Sequence, residues 1–431
     1  MRPYVLILVM MSCLLQVALP AIATDSSLGV FGNANMDDTI DEKDIEYLQG
    51  IIDHTNKPTE FADANNDSKI DSLDIDQINK IINGEEKQLT YINVFGEPET
   101  VNKPIKRIAD VSAGFATETV RALNATDKII AVTKTIAEKN WFFPELLQLP
   151  LIAGSWNEPD FEAILNQHPD AVITYIPWEY NWALNVGNWK KNLPGVQIIS
   201  LGFINPMGEE YTEADGVGKY NGLIESTRKL GYILDKEKEA DDLCNWYEGW
   251  LNKIHERTEK IPDNEKMRVY TEWGSKEYYF LKGRHHQICT LAGGIDLLSD
   301  LPTTSGQTDP EWVIKTDPDV IIKARSAGFG GGYDTDNSSG MRAIRDIVLN
   351  RSELANVKAI KTGNVYAMDP NLTNGPRTIV AIAYTAKWLY PDIFKDLDPQ
   401  AIHQEYLSRF QHLDYDLNKH GVFVYPPLNE S

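Results

Sequence analysis

The stretch "EPDFEAILNQHPDAVIT" (158–174) returns as "TDPEWVIKTDPDVII" (308–322), about 150 residues further on. In this alignment Glu162 falls on Glu311, and Pro169–Asp170 falls on Pro318–Asp319. Each copy reads as an acidic helix start, a Pro-Asp turn and a core strand. One copy is ordinary α/β grammar, but two constrain the chain to build two bodies of similar architecture. The surrounding pattern agrees. "KRIADVS", "KIIAVT", "AVITYI" and "VQIISLG" read as buried strands, separated by helical stretches such as "ATETVRAL". The alternation restarts with "MRVYTEW", "DVIIKA" and "GNVYAM", interleaved with "MRAIRDIVL" and "TIVAIAYTAKWLY". Strands alternating with helices imply mostly parallel sheets covered on both faces.

Between the halves lies "DKEKEADDLCNWYEGWLNKIHERTEKIP", where Leu243, Trp246, Tyr247, Trp250 and Ile254 recur at helical spacing until Pro262. A helix of roughly 25 residues would span nearly 40 Å, enough to lie across both bodies. The expected fold is therefore α/β, with two Rossmann-like lobes joined by one long bridging helix, at residues 91–234, 235–262 and 263–431.

The formal charge of −22 excludes nucleic acid and anionic membranes as partners, because both demand basic patches. Arg2, the apolar run "VLILVMMSCLLQVALP" and "AIA" read as a signal peptide over residues 1–23, cleaved near Ala23. The expectation is a secreted or cell-envelope protein. Past that point Cys244 and Cys289 remain, able to bridge only if the fold brings them together.

A second repeat occupies residues 24–90. "NANMDDTIDEKDI" (33–45) and "DANNDSKIDSLDI" (63–75) match at a spacing of thirty, with oxygen-bearing residues at loop positions 1, 3, 5, 9 and 12. The first set is Asn33, Asn35, Asp37, Asp41 and Asp44, with the Thr39 carbonyl at position 7. The second is Asp63, Asn65, Asp67, Asp71 and Asp74, with the Lys69 carbonyl. Such spacing wraps a chain around Ca2+, which takes several hard oxygens at roughly 2.3–2.6 Å. Position 6 holds Asp38 and Ser68 in place of the usual Gly, and Ile40 and Ile70 at position 8 point inward to pair the loops. A polar Asx-turn loop is the bland alternative. Helical periodicity follows each loop ("IEYLQGII", "IDQINKII") but precedes neither. This loop-helix duplication resembles the dockerin family, which implies a small all-α, calcium-folded module and a cohesin-like partner. The residues at positions 10 and 11, Glu42–Lys43 and Ser72–Leu73, depart from the small hydroxyl residues usual there.

The segments "PIKRIADV", "ETVRALNATDKIIAVT", "FEAILNQHPDAVI", "LAGGIDLLSDLP", "DPEWVIKTDPDVII" and "GNVYAM" carry a further resemblance, over residues 91 to about 395. In order and content they are similar to the substrate-binding proteins of ABC importers for iron-siderophore, haem and cobalamin. That resemblance implies a metal chelate or corrinoid as ligand and an ABC transporter permease as partner. It also implies that Glu162 and Glu311, one per lobe, dock on basic residues of the permease.

Ligands of open α/β sheets sit beyond the carboxyl ends of the strands. Those ends run into Trp178, Tyr180 and Trp182, into Trp273 and Tyr279, and into Arg325 and Tyr333. Aromatic walls with an arginine suit a bulky, partly apolar anion. "RHHQIC" (284–289) reads chiefly as a helix start and only secondarily as a metal site, and "GFGGGY" reads as a flexible loop. The main expectation is ligand capture without chemistry. The competing one is a secreted, scaffold-displayed hydrolase with an active site between the lobes, although no catalytic motif marks one.

Overall fold

The computed structural model describes residues 28–139, 141–155, 158–174, 182–203, 209–213, 216–220, 222–324 and 330–428. Each loop of the N-terminal repeat leads directly into a helix, α1 (Glu42–Ile52) and α2 (Ser72–Asn83). Both helices open in the same way. Asp41 accepts the Lys43 amide while Asp44 accepts the Asp41 amide; Asp71 and Asp74 do the same for Leu73 and Asp71, all four at 2.8 Å. These reciprocal caps satisfy amides that an exposed helix start leaves orphaned. A hairpin of β1 (Gln88–Ile92) and β2 (Pro98–Asn102) follows.

The first lobe contains β3 (Ile108–Val111), α3 (Phe115–Ala122), β4 (Ile129–Thr133), α4 (Lys134–Ala137), β5 (Leu151–Ala153), α5 (Phe161–Asn166), β6 (Ala171–Thr174), α6 (Trp182–Asn192) and β7 (Gln197–Ser200). Its sheet is fully parallel in the order β5-β4-β3-β6-β7. A second hairpin, β8 (Glu209–Glu213) and β9 (Gly216–Tyr220), precedes α7 (Leu223–Leu234) and α8 (Glu237–Thr258).

The second lobe contains β10 (Arg268–Trp273), β11 (Tyr279–Leu281), α9 (Arg284–Leu291), β12 (Ile295–Asp296), β13 (Ser305–Gln307), α10 (Pro310–Thr316), β14 (Val320–Ala324), α11 (Ser339–Leu349), α12 (Lys358–Thr362) and β15 (Val365–Met368). It closes with α13 (Thr378–Leu389), α14 (Pro399–Glu405) and β16 (Val424–Tyr425). The sheet order is β12-β10-β14-β15-β16, parallel except for the last pair.

The internal repeat survives in three dimensions. Asp160 caps α5 and Asp309 caps α10, which puts Glu162 and Glu311 at the same first-turn position of each helix. The turns match as well: His168 and Asp317 both take left-handed backbone, at φ 49° and 43°. Asp170 then accepts the Lys106 and Arg107 amides, and Asp319 accepts the Arg268 amide, so each Pro-Asp turn pins the entry to a neighbouring strand.

The linking helix α8 runs for 22 residues, about 33 Å, slightly less than the spacing of its apolar residues predicts. Its buried face carries Leu243, Trp246, Tyr247, Leu251 and Ile254, and it packs on α3 of one lobe and on α9 and α13 of the other. Every residue of α7 except Glu225 is buried, including Arg228 and Lys229. One continuous apolar core extends from Leu28, Leu48 and Ile78 through Ile108, Ile233 and Trp246 to Val269 and Trp388. The outer faces of the two sheets have their own clusters, around Val172 and Trp189 and around Tyr270 and Ile321. Cys244 and Cys289 are both free and buried, and burial raises both thiols. Among the described residues no helix is long and apolar enough to cross a membrane.

Candidate functional site at the strand ends

Beyond the carboxyl end of β3 the backbone turns through two left-handed residues, Ala113 (φ 58°) and Gly114 (φ 99°), and enters α3 without a side-chain cap. Asp110, fully buried, accepts the Ser112 amide (2.9 Å) and the Thr117 hydroxyl (2.6 Å), and burial raises its carboxyl. From the segment after β4, Lys139 reaches across to donate to the Ala113 carbonyl at 2.9 Å, over the Phe115 ring at 5.5 Å. Burial pushes its ammonium down to about 8, partly offset by Glu118 and reinforced by Arg377.

Here the lobes touch. Glu118 on α3 and Arg377, just before α13, form a buried ion pair at 2.6 Å across the seam. Tyr406 donates to the same carboxylate at 3.0 Å, and the Gln411 amide donates to the Glu118 carbonyl at 3.0 Å. Trp141 of the first lobe stacks on Tyr333 of the second, with ring centroids 4.2 Å apart, and the Arg377 guanidinium lies 4.9 Å from the Phe142 ring. Burial, with Arg377 adding to it, holds His403 neutral, and its Nε2 lies 2.6 Å from the Tyr333 hydroxyl. Two cavities, of about 1010 and 760 Å3, lie away from this edge, one between the N-terminal module and α8 and one beside α14.

The residues read from sequence are distributed unevenly. Trp178, Tyr180 and Arg325 lie outside the described residues, as does the side chain of Trp182, the first residue of α6. Trp273 is half-buried at the end of β10, against the His285 ring at 4.8 Å. Tyr279 is half-buried in the β11–β13 pair. Tyr333 is only 5% exposed, its hydroxyl serves Arg377 and His403 and its ring stacks on Trp141 of the first lobe, so it joins the lobes and does not form an open wall. Glu162 and Glu311 are exposed on their separate lobes.

Two smaller readings change. His286 pairs with Asp296 at 2.9 Å, His285 packs on Trp273 and Cys289 sits in the core, so "RHHQIC" makes no metal site. Gly332 and Val422 exchange two backbone hydrogen bonds, and Gly330 passes so close to Gly340 that a Cβ would lie 2.3 Å from its Cα. The described end of "GFGGGY" is therefore held, not flexible. Trp141, Lys139, Glu118 and Arg377 escaped the sequence reading. The signal available was the aromatic run "WFFP" after the second strand.

In the N-terminal module the two loops bring their polar residues together by position. Asn35 and Asn65 donate backbone amides to Asp44 and Asp74 (3.0 and 3.1 Å), and Asp37 and Asp67 accept the Thr39 and Lys69 amides (2.9 and 3.0 Å). Among the described residues no three His, Cys, Asp or Glu side chains meet at one point. Two observations nonetheless fit a cation in the first loop. Asn33 Oδ1 is fully buried with no hydrogen-bond partner, and Asp44 is pushed up to about 6 by burial and by the charges of Asp37 and Asp41. A buried acceptor without a donor and a crowd of like charges are both relieved by a positive ion.

Comparison with known proteins matches this arrangement. The Periplasmic binding protein family profile matches residues 112–372. The uncharacterized ABC transporter substrate-binding lipoprotein YvrC of Bacillus subtilis is 23% identical over 302 residues, covering 69% of this chain and 84% of YvrC. The molybdate-binding protein MolA of Haemophilus influenzae is 24% identical over 315 residues, covering 68% and 82%. The crystal structure of the TroA-like periplasmic binding protein FepB from Veillonella parvula superposes with a TM-score of 0.61 at 20% identity, over 78% of this chain and 98% of FepB. These relatives bind substrates, so the alternative of a scaffold-displayed hydrolase is set aside. With its two parallel-sheet lobes and its bridging helix, the chain belongs to the periplasmic binding protein family.

Proposed function

We propose that the chain captures an anionic metal chelate or metal-bearing macrocycle, of the iron-siderophore, haem or corrinoid kind, and delivers it to its permease. The observation that carries this reading is the composition of the strand ends. The first lobe supplies Phe115, Lys139 and Trp141, and the second supplies Trp273, packed on the His285 ring. Aromatic faces bind flat or partly apolar bodies, and an ammonium of low basicity in a poorly solvated place favours an anion beside it. The name of MolA makes a small oxoanion the natural competitor. Tryptophan-fluorescence titration with a ferric siderophore, haem, a corrinoid and molybdate separates the two. Saturation by a chelate or macrocycle supports the proposal, and saturation by molybdate alone overturns it.

Glu162 and Glu311 serve in this reading as the permease contacts, one per lobe, at equivalent capped helix starts. Reversing both charges is expected to stop uptake and leave ligand affinity unchanged; uptake by the double variant would remove the docking role.

The N-terminal module is read as a dockerin-like calcium module that attaches the protein at the cell envelope, with a cohesin-like partner. Asn33, Asn35, Asp37, the Thr39 carbonyl, Asp41 and Asp44 would hold one Ca2+. Asp63, Asn65, Asp67, the Lys69 carbonyl, Asp71 and Asp74 would hold another. Bound Ca2+ supplies positive charge and oxygen coordination that close each loop.

A further inference from the structure

The two halves of the N-terminal module repeat in sequence but not in surroundings. The second loop faces water: Asn66, Asp67, Ser68 and Lys69 are all exposed. The first is pressed on the body. The Ile40 amide, at the loop position expected to face its twin, donates to the Tyr232 hydroxyl on α7 at 2.8 Å. Asp38 lies 3.5 Å from the guanidinium of Arg228, which also binds Glu248 on α8 at 2.9 Å. Just upstream, Val30 bridges to Tyr91, and Ile92 donates its amide to the Gly29 carbonyl at 2.8 Å. Lys229 donates to the Ile92 carbonyl at 2.8 Å and would collide with any Cβ added at Gly29. These bonds secure the segment entering the loop to the same helix.

The charges across this seam conflict. Asp41 from the loop and Asp235, Glu237 and Asp241 from the α7–α8 hairpin line one cavity of about 1010 Å3. Arg228 and Lys103 supply the compensating charges at the seam: Arg228 meets Asp38 and Asp241, and Lys103 meets Glu86 and Asp235. Like charges facing each other in a partly desolvated groove repel more strongly than in bulk water.

We propose that this first loop is permanently docked on α7, so that Ca2+ held there clamps the module to the substrate-binding body and stabilises the lobes, while Ca2+ in the second loop acts on the module alone. The proposal rests on the calcium reading above. Divalent charge in the first loop offsets the repulsion across the seam and fixes the Ile40 amide where Tyr232 receives it. By linkage, whatever tightens docking tightens the ion, and the reverse.

The test uses the chain from residue 24 onward, stripped of metal, and Ca2+ alone as the probe. Asp38→Asn and Tyr232→Phe remove the two seam contacts without touching a proposed ligand, and Asp67→Ala disables the second loop. Calorimetric titration is expected to find two sites, one of which weakens about fivefold to tenfold in the Asp38→Asn/Tyr232→Phe double variant while the other is unchanged. Hydrogen exchange is expected to show α7 amides gaining protection with Ca2+ in wild type and in Asp67→Ala, and gaining much less in the double variant. Two sites unaffected by the double variant, or α7 protection independent of Ca2+, would overturn the docking proposal. Absence of any Ca2+ binding would instead remove the calcium reading beneath it.

Discussion

The two lobes follow one plan and solve the same electrostatic problem in opposite ways. Each carries a buried carboxylate near the end of its central strands. In the first lobe Asp110 is satisfied by a hydroxyl and an amide. In the second, Glu272, fully buried, receives Arg351 through two hydrogen bonds, at 2.6 and 2.9 Å, and an ion pair from Lys323. Burial raises both, but at Glu272 the Arg351 bonds and the Lys323 charge reverse the sign, so Asp110 is raised and Glu272 lowered. Topology was duplicated and charge was not. A repeated strand-turn-helix plan therefore fixes the backbone and leaves the buried polar chemistry of each lobe free to diverge.

The largest expected effect tests the second-lobe solution. Glu272→Ala strands two cations beneath the sheet and is expected to cost about 3–5 kcal/mol in denaturant unfolding. A loss below ~1 kcal/mol would mean that the triad adds no more than the hydroxyl and amide of the first lobe. Next comes the seam where the lobes meet. Glu118→Gln removes the charge opposite Arg377 and is expected to cost roughly 1.5–3 kcal/mol. If only the second lobe were destabilised, the two bodies would be less coupled than their shared core implies.

A functional effect of about tenfold is expected at Lys139. Because its pKa is about 8, affinity for an anionic ligand is expected to fall as pH rises through that value, and Lys139→Met is expected to remove the pH dependence. Its folded pKa lies below the unfolded one, so the chain is expected to gain stability from this group between about pH 8 and 10.5. Binding isotherms across that range check the first statement and melting curves the second.

The smallest effect closes the comparison. Asp110→Asn is expected to change stability by about 1 kcal/mol or less, since the Lys139 ammonium acts on this carboxylate only through space and a neutral amide keeps an acceptor oxygen. The acid limbs should differ in sign. Glu272, lowered in the fold, contributes stability above its unfolded pKa that is lost as pH falls through its folded value. Asp110, raised in the fold, is a burden at neutral pH that is relieved as pH falls through its folded value. Acid melts of Glu272→Gln and Asp110→Asn read the two slopes separately.

Much of this architecture was legible in the sequence. Runs such as "AVIT" and "DVIIKA" are strands because parallel sheets bury both faces, and an unbroken apolar run has no other economical place. The doubled loop was legible because oxygen-bearing residues recur at the same five positions thirty residues apart. What stayed hidden depends on distant partners. α7 resembles an amphipathic surface helix until the N-terminal module covers Arg228 and Lys229. Glu118 and Arg377 stand 259 residues apart, and nothing local in either segment announces the pair. Trp141 was passed over because an aromatic beside Phe142 and Phe143 reads as core; only the second lobe's Tyr333 makes it a junction.

The burial of α7 also bears on how this protein can be cut. The family profile matches from residue 112, so a version trimmed to that match would lose the middle strand β3 as well as the Ile40 bond to Tyr232 and the strand that Lys229 holds. Such a fragment would expose the apolar face of α7, with Arg228 left to Glu248 and Asp241 and Lys229 left to Glu225, and would be prone to clump on purification. The front end of this chain, outside the stretch that the family profile matches, is thus the lid of its own spine.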